Sequence, residues 1–128
     1  MKQKIFYDFV EAINKHSTAD IYDLMADDHK FIDAQGNEMA GKSLMQSGWK
    51  SYFDLFPDYR IEVSDIFEKD NVIAAFGSAS GSYKGDGKQT LNLPAAWKAI
   101  IEEIKVKLWQ VYADTKIPFE IISKNQSK

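Results

Sequence analysis

Residues 48–63 read GWKSYFDLFPDYRIEV, and within this stretch the chain changes its hydrophobic period. Before Pro57 the apolar side chains fall at Trp49, Tyr52, Phe53 and Phe56, the three- and four-residue spacing of one helix face. After it, Tyr59, Ile61, Val63, Asp65 and Phe67 share one parity, the period of a strand. Proline marks the switch because it disfavours helical geometry in the residue before it. Most of the chain upstream reads as helix, and everything downstream reads as strand. Helices first and long antiparallel strands after is the α+β pattern.

Working outward, the helix extends back to Gly41 through Leu44 and Met45. Ile5, Phe6, Phe9, Val10 and Ile13 predict an amphipathic helix over Lys2–Lys15. Ser17-Thr18-Ala19-Asp20 follows, with a hydroxyl able to cap and an acid for the first turn, so a short helix is expected with Ile21, Leu24 and Met25 inward. Residues 29–41, HKFIDAQGNEMAG, place His29, Phe31 and Asp33 on one strand parity, with a turn at Gln35-Gly36-Asn37. Downstream, Lys69-Asp70-Asn71 reads as a hairpin turn. Val72–Tyr83 is a small-residue strand in which Gly77, Ala79 and Gly81 predict bending or close backbone approach. Lys84–Lys88 is a Gly-rich loop, Leu91–Ile101 and Lys105–Ala113 form a hairpin around Glu102-Glu103, and Pro118–Ile122 is expected to add a short edge piece. No repeat or low-complexity linker interrupts the chain, so residues 1–128 read as a single domain whose polar tail, 123–128, should fray.

Composition narrows the function. Aromatics make up 13% of 128 residues, so many rings must stack inside, around either a solid core or an aromatic-lined cavity. The net charge is −3 and Arg60 is the sole arginine; without clustered positive charge, no nucleic-acid partner is expected. Cysteine is absent, which removes disulfides, thiol catalysis and thiolate metal sites. With two histidines and no calcium-loop spacing, no metal and no cofactor are expected. The N-terminal apolar residues are interrupted by acids and polar groups, so neither a signal peptide nor a membrane span is read, and a cytoplasmic protein is the default.

Three segments carry a family likeness: MADDHKFIDAQG (25–36), GWKSYFDLFPDYRIEV (48–63) and LWQVYAD (108–114). With this order of elements, the chain resembles the nuclear transport factor 2-like superfamily. Within that superfamily it is similar to the SnoaL-like group of polyketide cyclases and ketosteroid isomerases, over roughly residues 2 to 115. The resemblance implies a cone: a strongly curved, mostly antiparallel sheet wrapped around N-terminal helices, with a pocket at the open end. It does not imply one activity, because this fold hosts enzymes and binding proteins alike. Matched to ketosteroid isomerase, the proton-shuttling aspartate lands on Asp33 and a pocket aromatic lands near Trp49. The two oxyanion donors do not carry over, because the tyrosine falls on Phe9 and the protonated aspartate near Ala96. Losing one such donor costs ~10²–10³ in rate, so ketosteroid isomerase activity is not expected. With one arginine, the Asp-Arg-Asp network of limonene-epoxide hydrolase is also hard to build.

The candidate catalytic residues are Asp33 and His29. Asp33 shares a parity with Phe31; aimed into an apolar cavity it would titrate high and serve as a base, whereas the alternative is a cap on the following turn. His29 suits proton transfer, but four strand residues span ~13 Å, so it cannot pair with Asp33; the alternative is a histidine bonded to backbone. Candidate pocket residues are Phe9, Phe31, Trp49, Tyr52, Phe53, Trp97 and Trp109, with the two hairpin tryptophans equally suited to a dimer face. Two functional readings stay open. One is a pocket for a small, largely apolar molecule, with cofactor-independent isomerase, cyclase or dehydratase chemistry; the other is a non-enzymatic binding or assembly module. A homodimer is expected in either case, since Trp97, Trp109 and Tyr112 cannot all face inward if alternation is strict.

Overall fold

The computed structural model describes residues 1–86, 90–114 and 120–123. It begins with helix α1 (Lys2–Asn14), whose Ile5, Phe6, Phe9, Val10 and Ile13 are buried as the spacing requires. His16 adopts the left-handed conformation (φ 56°) at the end of α1, and the helix closes in a Schellman turn: His16 N–H donates to Ile13 O and Ser17 N–H to Ala12 O. Ser17 Oγ then accepts Asp20 N–H at 3.2 Å and opens α2 (Thr18–Leu24). Strands β1 (Met25–Ile32) and β2 (Glu38–Ala40) form a short hairpin, and α3 (Lys42–Leu55) follows, ending before Pro57. The second half is β3 (Arg60–Lys69), β4 (Val72–Ser82), a 3₁₀ turn (Tyr83–Gly85), β5 (Thr90–Glu102) and β6 (Lys105–Ala113).

The six strands make one curved, unclosed sheet in the order β2-β1-β6-β5-β4-β3. Among the described residues only β1–β6 pair in parallel; the other pairs are antiparallel. The α+β cone implied by the resemblance is therefore the observed architecture. Gly77 shows why β4 is rich in small residues. A Cβ there would lie 1.8 Å from the Glu62 carbonyl oxygen, opposite the bulge between Val63 and Asp65 in β3. Helix α1 is tied to the outermost strand by one side chain: Asn14 donates to Ile61 O at 2.9 Å and accepts Ile61 N–H at 2.8 Å, as a neighbouring strand would.

Two expectations need correction, and two fall partly outside the described residues. Residues 120–123 are helical, not an edge strand, while Pro118 and Phe119 lie outside the described residues. Of the Gly-rich loop, residues 84–86 are described and 87–88 are not; the tail beyond Ser123 is likewise outside. Trp97 and Trp109 do not face outward: they are 2% and 1% exposed, and of the three aromatics proposed for an interface only Tyr112 points to solvent.

Candidate functional site

The inward faces of β5 and β6 carry a gradient of side-chain size. On β5 the sequence runs Leu93, Ala95, Trp97 and Ala99, and on β6 Trp109, Val111 and Ala113; the register sets Ala95 against Ala113 and Trp97 against Val111. The tryptophans fill one end of the cone, where Trp109 meets Phe6 at 5.3 Å, Phe9 at 4.9 Å and Trp97 at 6.5 Å between ring centroids. Toward the other end the small residues leave space. The result is a cavity of about 320 Å³.

Helix α3 forms one wall with Met45, Gly48, Trp49 and Tyr52, and the sheet forms the opposite wall with Ala79, Leu93, Val111 and Ala113. Phe31, Met39 and Tyr59 complete the apolar surface, Ile122 contributes from residues 120–123, and Asp33, Gln35 and Asp114 bring polar groups. Of the residues expected at the pocket, Phe31, Asp33, Trp49 and Tyr52 are there. Phe9, Trp97 and Trp109 belong instead to the filled end of the core. Phe53 sits behind the wall, stacked on His16 at 4.1 Å and on Trp49 at 5.5 Å.

Asp33 reaches the cavity with its carboxylate largely committed to the β1–β2 turn. Oδ1 accepts the backbone N–H groups of Gln35 and Asn37, both at 2.9 Å, and Oδ2 accepts Asn37 Nδ2 at 3.1 Å. This is the turn-capping arrangement weighed for it from sequence. His29 does not line the cavity. It is fully buried, its Nδ1–H donates to Val106 O at 2.8 Å, and its Nε2 has no partner among the described residues. Burial holds its pKa below the usual histidine value, partly offset by the Val106 carbonyl and by Asp28. The backbone-bonded reading describes its geometry.

Tyr59 is one of the site residues that sequence reading passed over, having been counted only as the first residue of a strand parity. Its backbone is fixed from three sides. His16 Nε2–H donates to Tyr59 O at 2.7 Å. On one flank, Asn14 clamps Ile61. On the other, the Asp58 carboxylate accepts Ser82 N–H and Oγ–H, both at 2.7 Å, which also holds that acid below the usual carboxylate range. The Tyr59 ring packs edge-on against Tyr52, with centroids 5.0 Å apart. Both phenols are desolvated by their surroundings: Tyr52 is pushed up to about 12 and Tyr59 is also raised, by burial first and by Tyr52 second. At neutral pH each is an O–H donor rather than a base. Among the described residues, no three His, Asp or Glu side chains gather closely enough to hold a metal ion.

The family profile of the SnoaL-like domain matches residues 6–102, which span the three helices and the concave sheet up to the end of β5. The chain belongs to the SnoaL-like domain family. Solved structures resemble this SnoaL-like domain in fold. A protein from Jannaschia sp. CCS1, provisionally named a SnoaL-like polyketide cyclase, superposes with a TM-score of 0.82 at 12% identity, over 95% of this chain and 91% of the other. A hypothetical protein of ketosteroid isomerase-like fold from Catenulispora acidiphila, solved in complex with trimethylamine, gives 0.77 at 16% identity, over 84% of this chain and 83% of the other. TerC, co-crystallised with polyporic acid, gives 0.80 at 14% identity, over 95% and 98%. No curated protein shows significant sequence similarity to this SnoaL-like domain. At these identities the shared property is the fold. Among the described residues, no helix is long and apolar enough to cross a membrane.

Proposed function

We propose that this SnoaL-like domain binds a small, largely apolar organic molecule in the cavity between α3 and the sheet. One observation carries the reading: the cone is filled by tryptophans at one end and left open at the other, where aromatic and aliphatic side chains surround about 320 Å³. Ligand pockets span ~300–1,000 Å³, so the space suits a compact molecule. Two neighbours of the same fold were solved with small organic molecules, trimethylamine and polyporic acid, which supports the reading without naming the ligand. The test is a fluorescence titration with the neutral apolar probe N-phenyl-1-naphthylamine, on the wild type and on Val111→Phe. Saturable binding that the bulkier side chain removes is expected. Absence of saturable binding, or binding indifferent to Val111→Phe, would overturn the reading.

Asp33 supports a second reading, in which bound ligand undergoes proton transfer. It lines the cavity, and Oδ2 accepts only one hydrogen bond among those Asp33 makes to the turn. That reading stands or falls on whether Asp33→Asn abolishes turnover of a candidate carbon acid while binding persists.

We also propose that the domain forms a homodimer through the outer face of the sheet. The tryptophans once expected there are internal, but Phe67 and Phe76 touch at 6.2 Å and are 60% and 49% exposed. Phe76 lies beside Ala96, which lies beside Tyr112, itself 51% exposed. Such a row is self-complementary across a two-fold axis. Analytical ultracentrifugation should show a dimer that Phe76→Glu converts to monomer; a monomeric wild type at tens of micromolar refutes it.

A further inference from the structure

The binding reading above leaves the ligand's chemistry open; the polar atoms of the cavity narrow it. Tyr59 is 9% exposed and Tyr52 is half-buried, and both line the cavity with their rings in edge-to-face contact. Among the described residues neither phenol oxygen has a hydrogen-bond partner, and neither is sealed from solvent as Trp49 Nε1 is. The cavity is the space onto which both residues open. Buried tyrosine hydroxyls ordinarily find a protein partner. Here two neighbouring ones keep their donors available inside an apolar chamber, where a water or a ligand must take them.

We propose that the cavity selects an uncharged carbonyl oxygen on an otherwise apolar skeleton, received by the hydroxyls of Tyr52 and Tyr59. This rests on the cavity being a binding site. A carbonyl oxygen has two lone pairs and no proton, so it satisfies both O–H donors at once; a ligand hydroxyl must also find a place for its own hydrogen. A carboxylate or phosphate is disfavoured. The surroundings that desolvate the two phenols penalise any negative charge placed beside them, and Asp33 and Asp114 line the same cavity. The apolar walls hold the skeleton, and the clamp on the Tyr59 backbone from His16, Asn14 and Asp58 fixes one donor before the ligand arrives, which limits the ordering cost of binding.

The experiment compares three ligands of one shape by isothermal titration calorimetry: 1-tetralone, 1-tetralol and the hydrocarbon tetralin. Two neutral hydrogen bonds gained in place of water contacts correspond to roughly tenfold in affinity. The ketone should therefore bind the wild type about tenfold more tightly than tetralin, and more tightly than the alcohol. In Tyr52→Phe/Tyr59→Phe this preference should vanish while tetralin binding is kept. The carbonyl stretch of bound 1-tetralone should move to lower wavenumber in the wild type and return toward its value in hydrocarbon solvent in the double variant. If ketone and tetralin bind equally, or if the preference survives in the double variant, the carbonyl proposal is wrong and the binding reading stands. An alcohol that binds as tightly as the ketone also overturns it. If none of the three binds, both fail together.

Discussion

Gly48→Ala should make the protein more stable and its pocket smaller. Gly48 lies in the middle of α3, where glycine costs about 1 kcal/mol relative to alanine. Nothing in the backbone calls for it. Its φ is not positive, and an added Cβ would meet only Met39 Cε and Met45 Cε at 3.8 Å and Met45 Sδ at 3.9 Å, which is ordinary contact. For a chain of 128 residues the entropy of unfolding is about 2.1 cal/mol/K per residue, or roughly 0.27 kcal/mol/K, so ~1 kcal/mol raises Tm by about 4 °C. The added methyl faces the cavity. A group about the size of one water, ~30 Å³, takes on the order of a tenth of the 320 Å³. Thermal unfolding followed by circular dichroism and titration with N-phenyl-1-naphthylamine read the two effects separately. The expected result is a higher Tm with weaker probe binding. A lowered Tm would show that α3 needs glycine for a backbone reason, and unchanged binding would show that this wall does not limit the ligand.

Gly77→Ala should have the opposite effect on stability. Its Cβ would sit 1.8 Å from Glu62 O and 3.0 Å from Val63 Cα, all backbone, so β3 must move by over an ångström; a loss of about 3 kcal/mol or more is expected in urea denaturation, and a loss under ~1 kcal/mol refutes the close approach. Asp33→Ala removes three hydrogen bonds from the β1–β2 turn and should cost about 1–2 kcal/mol by the same measurement, with no loss if the carboxylate is not a cap. His29 predicts an acid-side weakness. Its folded pKa is below 6.5, so the unfolded chain takes up a proton first as pH falls. Stability should be full above about 6.5 and decline from there down through the folded value. The wild type should therefore lose more stability between pH 7.5 and 5.5 than His29→Gln does, and equal losses refute the assignment.

The fold was legible because the hydrophobic period changes sharply at Pro57 and because Ser17 marks the start of α2. Strand β2 was not, since three residues carry no period of their own. Strand β1 begins at Met25, four residues earlier than expected, because exposed Asp27 and Asp28 hide a strand whose alternation shows only from His29 onward. In the site, Phe31, Trp49 and Tyr52 were visible as aromatics on elements that meet. Which other rings reach the cavity depended on depth along the cone, which parity does not encode. Trp97 and Leu93 share one face of β5, yet the first plugs the core and the second lines the pocket. Alternation does turn one of the three hairpin aromatics outward, but it is Tyr112 and neither tryptophan. Trp97 and Trp109 stand on the concave face of their strands, where Phe6 and Phe9 of helix α1 pack on Trp109 and Trp109 packs on Trp97.

Asn14 does more than fasten a helix. An unclosed sheet has two borders, and each presents unpaired peptide groups that any extended chain can add to. One border here is β2, too short to template much. The other is β3, ten residues long, with both peptide groups of Ile61 already occupied by Asn14 and with Arg60, Glu62, Asp65, Glu68 and Lys69 exposed along its length. A helix side chain thus imitates the missing seventh strand at Ile61. The same amide that joins the two halves of the fold therefore guards the molecule against growing by strand addition, and its loss would appear in the concentration at which the protein precipitates or forms fibrils as well as in its melting temperature.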